Sequence, residues 1–180
     1  MTVAERENRE LDLRAISRAA LVTAAALALP FAFHAVQLGR VFLPMFLPIL
    51  VGAFFLPLGW AVAAGAAAPL LSAALTGMPP LFPPVALWMA AELGLISALV
   101  SGLGRGGRRS ALATAGVVGL AIVAGRALYL GLLYLTGLWL ELPAGLLTLA
   151  SLVTTWPGVL LALVAVPVAV GSLARAGVER

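Results

Sequence analysis

VFLPMFLPILVGAFFLPLGWAVAAGAAAPLLSAAL, residues 41–75, decides the fold, because the number of membrane crossings turns on whether it passes once or twice. Its first part, Val41 to Leu58, is broken by Pro44, Pro48 and Pro57, and its second, Gly59 to Leu75, is rich in alanine. About 20 residues at 1.5 Å each traverse a hydrocarbon core, so the whole stretch is too long for one helix even with tilt. Arginine placement arbitrates. Arg6, Arg9, Arg14 and Arg18 precede the first apolar run, Arg105, Arg108 and Arg109 separate the fourth from the fifth, and Arg175 and Arg180 follow the last. If residues 41–75 cross twice, all nine fall on one side and Arg40 alone lies in a loop opposite. If they cross once, the GRGGRR loop moves to the other side and the bias collapses. Cytoplasmic loops carry the positive excess, so six helices with both termini cytoplasmic are expected.

Composition sets the class. Hydrophobic residues make up 63% of the 180 and charged residues 10%, with a mean hydropathy of +1.12, far from the balance of a soluble domain. The expectation is an all-α polytopic membrane protein, a single domain over residues 1–180. A cytoplasmic segment at 1–17 precedes helices near 18–37, 42–56, 58–75, 84–103, 111–136 and 146–171. Ala26-Leu27-Ala28 has the form of a signal-peptidase site, but Glu5, Glu7, Glu10 and Asp12 are foreign to a secretory n-region, so the first span is expected to stay uncleaved. No space is left for a nucleotide-binding domain, and any ATP-driven role needs a partner. The pI is 11.1, yet all eleven basic residues are arginines clustered mostly at helix ends. They set topology and do not point to nucleic acid. With no cysteine and only His34, thiolate or His-rich metal sites are excluded, and no metal or cofactor is expected.

Two charges lie inside apolar spans: Glu92 in VALWMAAELGLISALV and Arg126 in LAIVAGRALYLGLLYL. A charge at mid-bilayer costs roughly 2.5–3.5 kcal/mol even on lenient insertion scales, so it has a partner or a role. Trp88 and Glu92 share a face at i, i+4, as do Arg126 and Tyr129 at i, i+3. Thr148, Ser151 and Thr155 form a polar stripe on the sixth span, with Trp156 beside it. Glu92 lies roughly 12 Å and Arg126 roughly 15 Å below the outer ends of their spans, at helical rise. Matched depth allows an ion pair that glues two helices. It equally allows a shared cavity in which Trp88, Glu92, Arg126, Tyr129, Ser151 and Thr155 hold a small polar ligand. Two outer loops could cap that cavity: FHAVQLGRVFLP, offering His34, Gln37 and Arg40, and the proline-stiffened TGMPPLFPP, beginning at Thr76. His34 and Arg40 also suit interfacial anchoring.

No catalytic residue is expected. Ser72 and Ser101 are candidate nucleophiles, but His34 is the sole imidazole and lies near the outer surface, while Ser101 lies near the inner one. One proton transfer cannot bridge that distance. Small residues repeat on the first span as Ala20, Ala24 and Ala28, and on the third as Ala61, Gly65 and Ala68. Such stripes admit close helix approach, either within the bundle or against another membrane protein.

The stretches HAVQLG (34–39), VFLPMFLPILVGAFFLP (41–57) and APLLSAALTGMPP (68–80), with the Glu92 helix leading to the arginine loop, resemble the substrate-binding S components of energy-coupling factor transporters. The resemblance covers nearly the whole chain and is nearest to members of that family whose substrate is uncharacterised. Leu56 stands where the family often has glycine before the proline at 57. The resemblance implies a non-enzymatic subunit of the bacterial cytoplasmic membrane with six helices and cytoplasmic termini. It would capture a vitamin-like ligand outside, between helices 4–6 and the loops after helices 1 and 3. It also implies contact of an A-x-x-x-A stripe, here Ala20, Ala24 and Ala28, with a transmembrane coupling subunit that works with two cytoplasmic ATPases.

Overall fold

The computed structural model describes residues 3–35, 43–104, 110–141 and 144–178, with side chains over 12–30, 43–104, 110–141 and 155–178. Six helices carry the described chain: α1 (Val3–Ala35), α2 (Phe46–Phe55), α3 (Leu58–Thr76), α4 (Val85–Leu103), α5 (Ala111–Trp139) and α6 (Ala144–Arg175). No strand occurs among the described residues. Five helices are long and apolar enough to cross a membrane, over Asp12–Pro30, Leu58–Thr76, Val85–Leu103, Ala111–Trp139 and Thr155–Arg175.

The first helix is longer than the sequence suggests. Residues 3–17 contain no glycine or proline and are rich in Ala, Glu, Arg and Leu, so nothing stops the helix from extending into the polar segment. α2, expected over 42–56, is shorter: ten residues, rising about 15 Å, half a hydrocarbon core. Its limits have local causes. Leu43 takes a left-handed φ of 49°, and its carbonyl accepts from Phe46 N at 2.9 Å. At the other end, Pro57 disfavours helical backbone at Leu56, which is extended at φ −101°, ψ 142°.

Short as it is, α2 is the centre of the bundle, in contact with α1, α3, α4 and α6. Phe46, Ile49, Leu50, Ala53 and Leu56 are nearly or fully buried. Gly52 lies so close to α1 that a Cβ would strike the Val22 methyls. Phe54 packs beside Gly104 at the end of α4, and Ser101 Oγ donates to Leu56 O at 3.0 Å. The C-terminal ends of α2 and α4 therefore meet, and α2 fills one half of the bundle's length.

α3 and α4 pack through small residues. Ala61, Ala64, Gly65 and Ala68 are buried, and a Cβ on Gly65 would collide with Ser97 Oγ and lie 2.6 Å from Leu93 O. The α3 stripe is thus consumed inside the bundle. Ala20, Ala24 and Ala28 on α1 are exposed. Gly77 ends α3 in the left-handed conformation at φ 73°, its N–H bonded to Ala73 O, a cap that only glycine adopts without cost. Ser110 caps α5, its side chain accepting from Ala113 N at 3.2 Å.

Candidate functional site

α4 and α5 run antiparallel and close. Gly125 makes this possible: a Cβ there would lie 2.5 Å from Ile96 Cγ1 and 3.3 Å from Glu92 Cγ. The α5 backbone lies directly against α4 side chains at this level, and the next residue, Arg126, faces Glu92 across the seam. Arg126 Nε lies 3.0 Å from Glu92 Oε1, with side-chain exposures of 12% and 1%. The guanidinium carbon is 5.1 Å from the centroid of Phe46 and 5.4 Å from that of Tyr129. Four residues from α2, α4 and α5 thus form one buried cluster at the N-terminal end of α2: a carboxylate, a guanidinium and two rings. Desolvated cation–π contacts of this kind contribute on the order of 2 kcal/mol.

The cluster is not saturated. Among the described residues, neither Glu92 oxygen nor Arg126 Nε is in an aligned hydrogen bond, so the 3.0 Å approach is coulombic, with the N–H off the line to the oxygen. Buried polar atoms are ordinarily satisfied, and an open carboxylate oxygen is a place where a further donor gains a charge-assisted bond. Ser97 Oγ is also buried without a hydrogen-bond partner among the described residues, on the α3-facing side of α4.

One turn towards the start of α4, Trp88 Nε1 donates to Thr136 Oγ1 at 2.9 Å, and Thr136 Oγ1 donates to Leu132 O at 2.8 Å. Trp88 and Glu92 therefore address the same neighbour, as their spacing predicts. Thr76 bonds locally: its hydroxyl approaches Ser72 O within α3 at 2.8 Å and accepts from Met78 N in the following loop at 3.2 Å. Thr155 is half-buried on α6. Gln37 and Arg40 lie outside the described residues, and so do the side chains of His34, Thr148 and Ser151.

Phe46 and Thr136 join the cluster without having been expected there. Thr136 had a signal, since it follows Tyr129 by seven residues, two turns on the same face. Phe46 had none, being one apolar residue in an apolar run. Among the described residues no group of three His, Cys, Asp or Glu side chains could hold a metal ion.

The structure defines the class: an all-helical bundle with helices suited to a bilayer and a charged pair at its heart. No protein-family model matches the chain, nor does any curated protein or solved structure.

Proposed function

We propose that this chain is the substrate-capture subunit of an ATP-driven micronutrient importer, taking a small, polar, partly flat vitamin or cofactor precursor. It would be an S component of the energy-coupling factor type in the bacterial cytoplasmic membrane. In this reading the chain crosses six times, the stretch ending in α2 making the second pass, with both termini cytoplasmic. The observation that carries the proposal is Glu92: a fully buried carboxylate with neither oxygen in an aligned hydrogen bond among the described residues, next to a guanidinium in contact with two rings. A ligand N–H or O–H completes the carboxylate, a ligand acceptor meets Arg126, and Trp88 and Tyr129 supply flat apolar faces. ATP hydrolysis belongs to separate subunits. The exposed stripe Ala20, Ala24 and Ala28 is the face offered to the coupling subunit.

A second reading has its own support. Arg126 already meets Glu92 and both rings, contacts that stabilise a bundle of any function. A vitamin panel scored by thermal unfolding separates the two. Under the transport reading, one ligand class at 100 times its Kd stabilises the wild type by about 2.7 kcal/mol and leaves a folded E92Q/R126M variant unmoved. Equal stabilisation of both proteins would remove the ligand role from the pair.

A further inference from the structure

The loop between α3 and α4, Gly77 to Pro84, displays large apolar side chains where a water-facing turn would not. Phe82 is 77% exposed, Leu81 60% and Met78 59%. Loops ordinarily stay in water because their backbone groups need partners. This one has reduced that need. Pro79, Pro80, Pro83 and Pro84 have no amide donor. Gly77 N donates to Ala73 O at 2.9 Å and Met78 N to Thr76 Oγ1 at 3.2 Å. Only Leu81 and Phe82 contribute further amide donors.

Four of the eight loop carbonyls are met as well. Met78 O accepts from Ser72 Oγ at 2.7 Å and lies 3.2 Å from Thr76 Oγ1. Pro80 O accepts from Ala86 N at 3.1 Å, Pro83 O from Val85 N at 2.6 Å and Pro84 O from Trp88 N at 3.1 Å. With two of four amides and four of eight carbonyls paired, this loop has fewer backbone groups in need of water than an ordinary loop, which lowers the cost of leaving it for the membrane interface.

Position supplies the partner. α3 has 19 residues, rising about 28 Å, close to the thickness of a hydrocarbon core. Its exposed Leu71 and Leu75 continue the same apolar surface into Met78. The Trp88–Thr136 bond places the end of α5 at the same end of the bundle, where Trp139 is 84% exposed. Tryptophan at that depth marks a membrane interface. We infer that the Gly77–Pro84 loop is a lipid-inserted wedge: Met78, Leu81 and Phe82 are buried among the acyl chains at one bilayer face. In this role the loop anchors the α3–α4 pair and is not a lid over the Glu92–Arg126 cluster. The inference does not depend on the transport reading.

Nitroxide scanning tests it. The chain has no cysteine, so Met78→Cys, Leu81→Cys and Phe82→Cys each give a single labelling site on the full protein. Each is reconstituted in phosphatidylcholine vesicles and measured for collision with oxygen and with a water-soluble nickel chelate. Leu21→Cys, exposed midway along α1, serves as the lipid reference, and Ala176→Cys, just beyond α6, as the boundary reference. The expected result is an oxygen-to-nickel ratio on the lipid side of the Ala176→Cys value at position 82 and at 78 or 81. Ratios at or below that value would place the loop in water and overturn the inference. Low access to both reagents would mean that protein covers it, with the same consequence.

Discussion

Replacing Arg126 with methionine isolates what the buried pair contributes. Methionine retains the unbranched stem and its packing on Phe46 and Tyr129 but removes the charge 3.0 Å from Glu92 Oε1. Glu92 is fully buried, and no other basic side chain among the described residues forms an ion pair with it. Removing one partner of a buried pair costs about 3–5 kcal/mol, because the remaining charge is left uncompensated. R126M is therefore expected to destabilise by about 3–5 kcal/mol, since the Glu92 left behind is only 1% exposed. Glu92→Gln keeps the volume and leaves the guanidinium with its two rings, so its cost is smaller, about 1–2 kcal/mol. The double variant has no charge to strand and recovers most of the loss. Reversible unfolding in mixed micelles gives all four corners of the cycle, with a coupling energy of at least about 1.5 kcal/mol expected for residues in contact. Additive single costs, with coupling below about 0.5 kcal/mol, would refute the reasoning.

Gly125→Ala places a methyl against the Ile96 side chain and should cost about 1–3 kcal/mol by overpacking, read in the same unfolding assay. Gly65→Ala should cost more than Gly125→Ala, since its Cβ meets the Leu93 carbonyl, backbone that cannot rotate away; the two midpoints compared directly decide it. Trp88→Phe removes the bond to Thr136 and is expected to cost about 0.6 kcal/mol, with 1.7 as the ceiling for such interhelical bonds in membranes. Ala24→Leu on the exposed α1 stripe should leave stability within about 0.5 kcal/mol while abolishing co-purification with the proposed coupling subunit; an intact complex would remove the stripe from that interface.

The Glu92–Arg126 pair was legible in the sequence for a simple reason. A charge in hydrocarbon is rare enough to be noticed singly, and matched depth on consecutive helices leaves few partners. Trp88 facing α5 and Tyr129 flanking Arg126 follow from helical spacing alone. The role of Phe46 was hidden because its partner lies far along the chain and neighbouring residues are equally apolar. The length of α2 was also obscured, since hydropathy reports where apolar residues run and not where the backbone turns. Its start depends on the left-handed Leu43 and its end on Leu56 preceding proline. The α3 stripe illustrates a different limit. Ala61, Gly65 and Ala68 resemble Ala20, Ala24 and Ala28 in pattern, yet one set is buried and the other exposed, and only tertiary packing assigns them. The proline-rich loop is a candidate cap in the sequence, and in the structure the Thr76 hydroxyl bonds locally, to Ser72 O in α3 and Met78 N in the loop.

The claim that Glu92 and Arg126 hold a ligand is tested most directly by mass spectrometry of small molecules released from the purified protein. Wild type and E92Q/R126M should be expressed and extracted side by side. The expected result is a vitamin-like compound at near-stoichiometric amount in the wild type and its absence from the folded double variant. A wild-type protein carrying no such compound, and binding none from a vitamin panel, would contradict it.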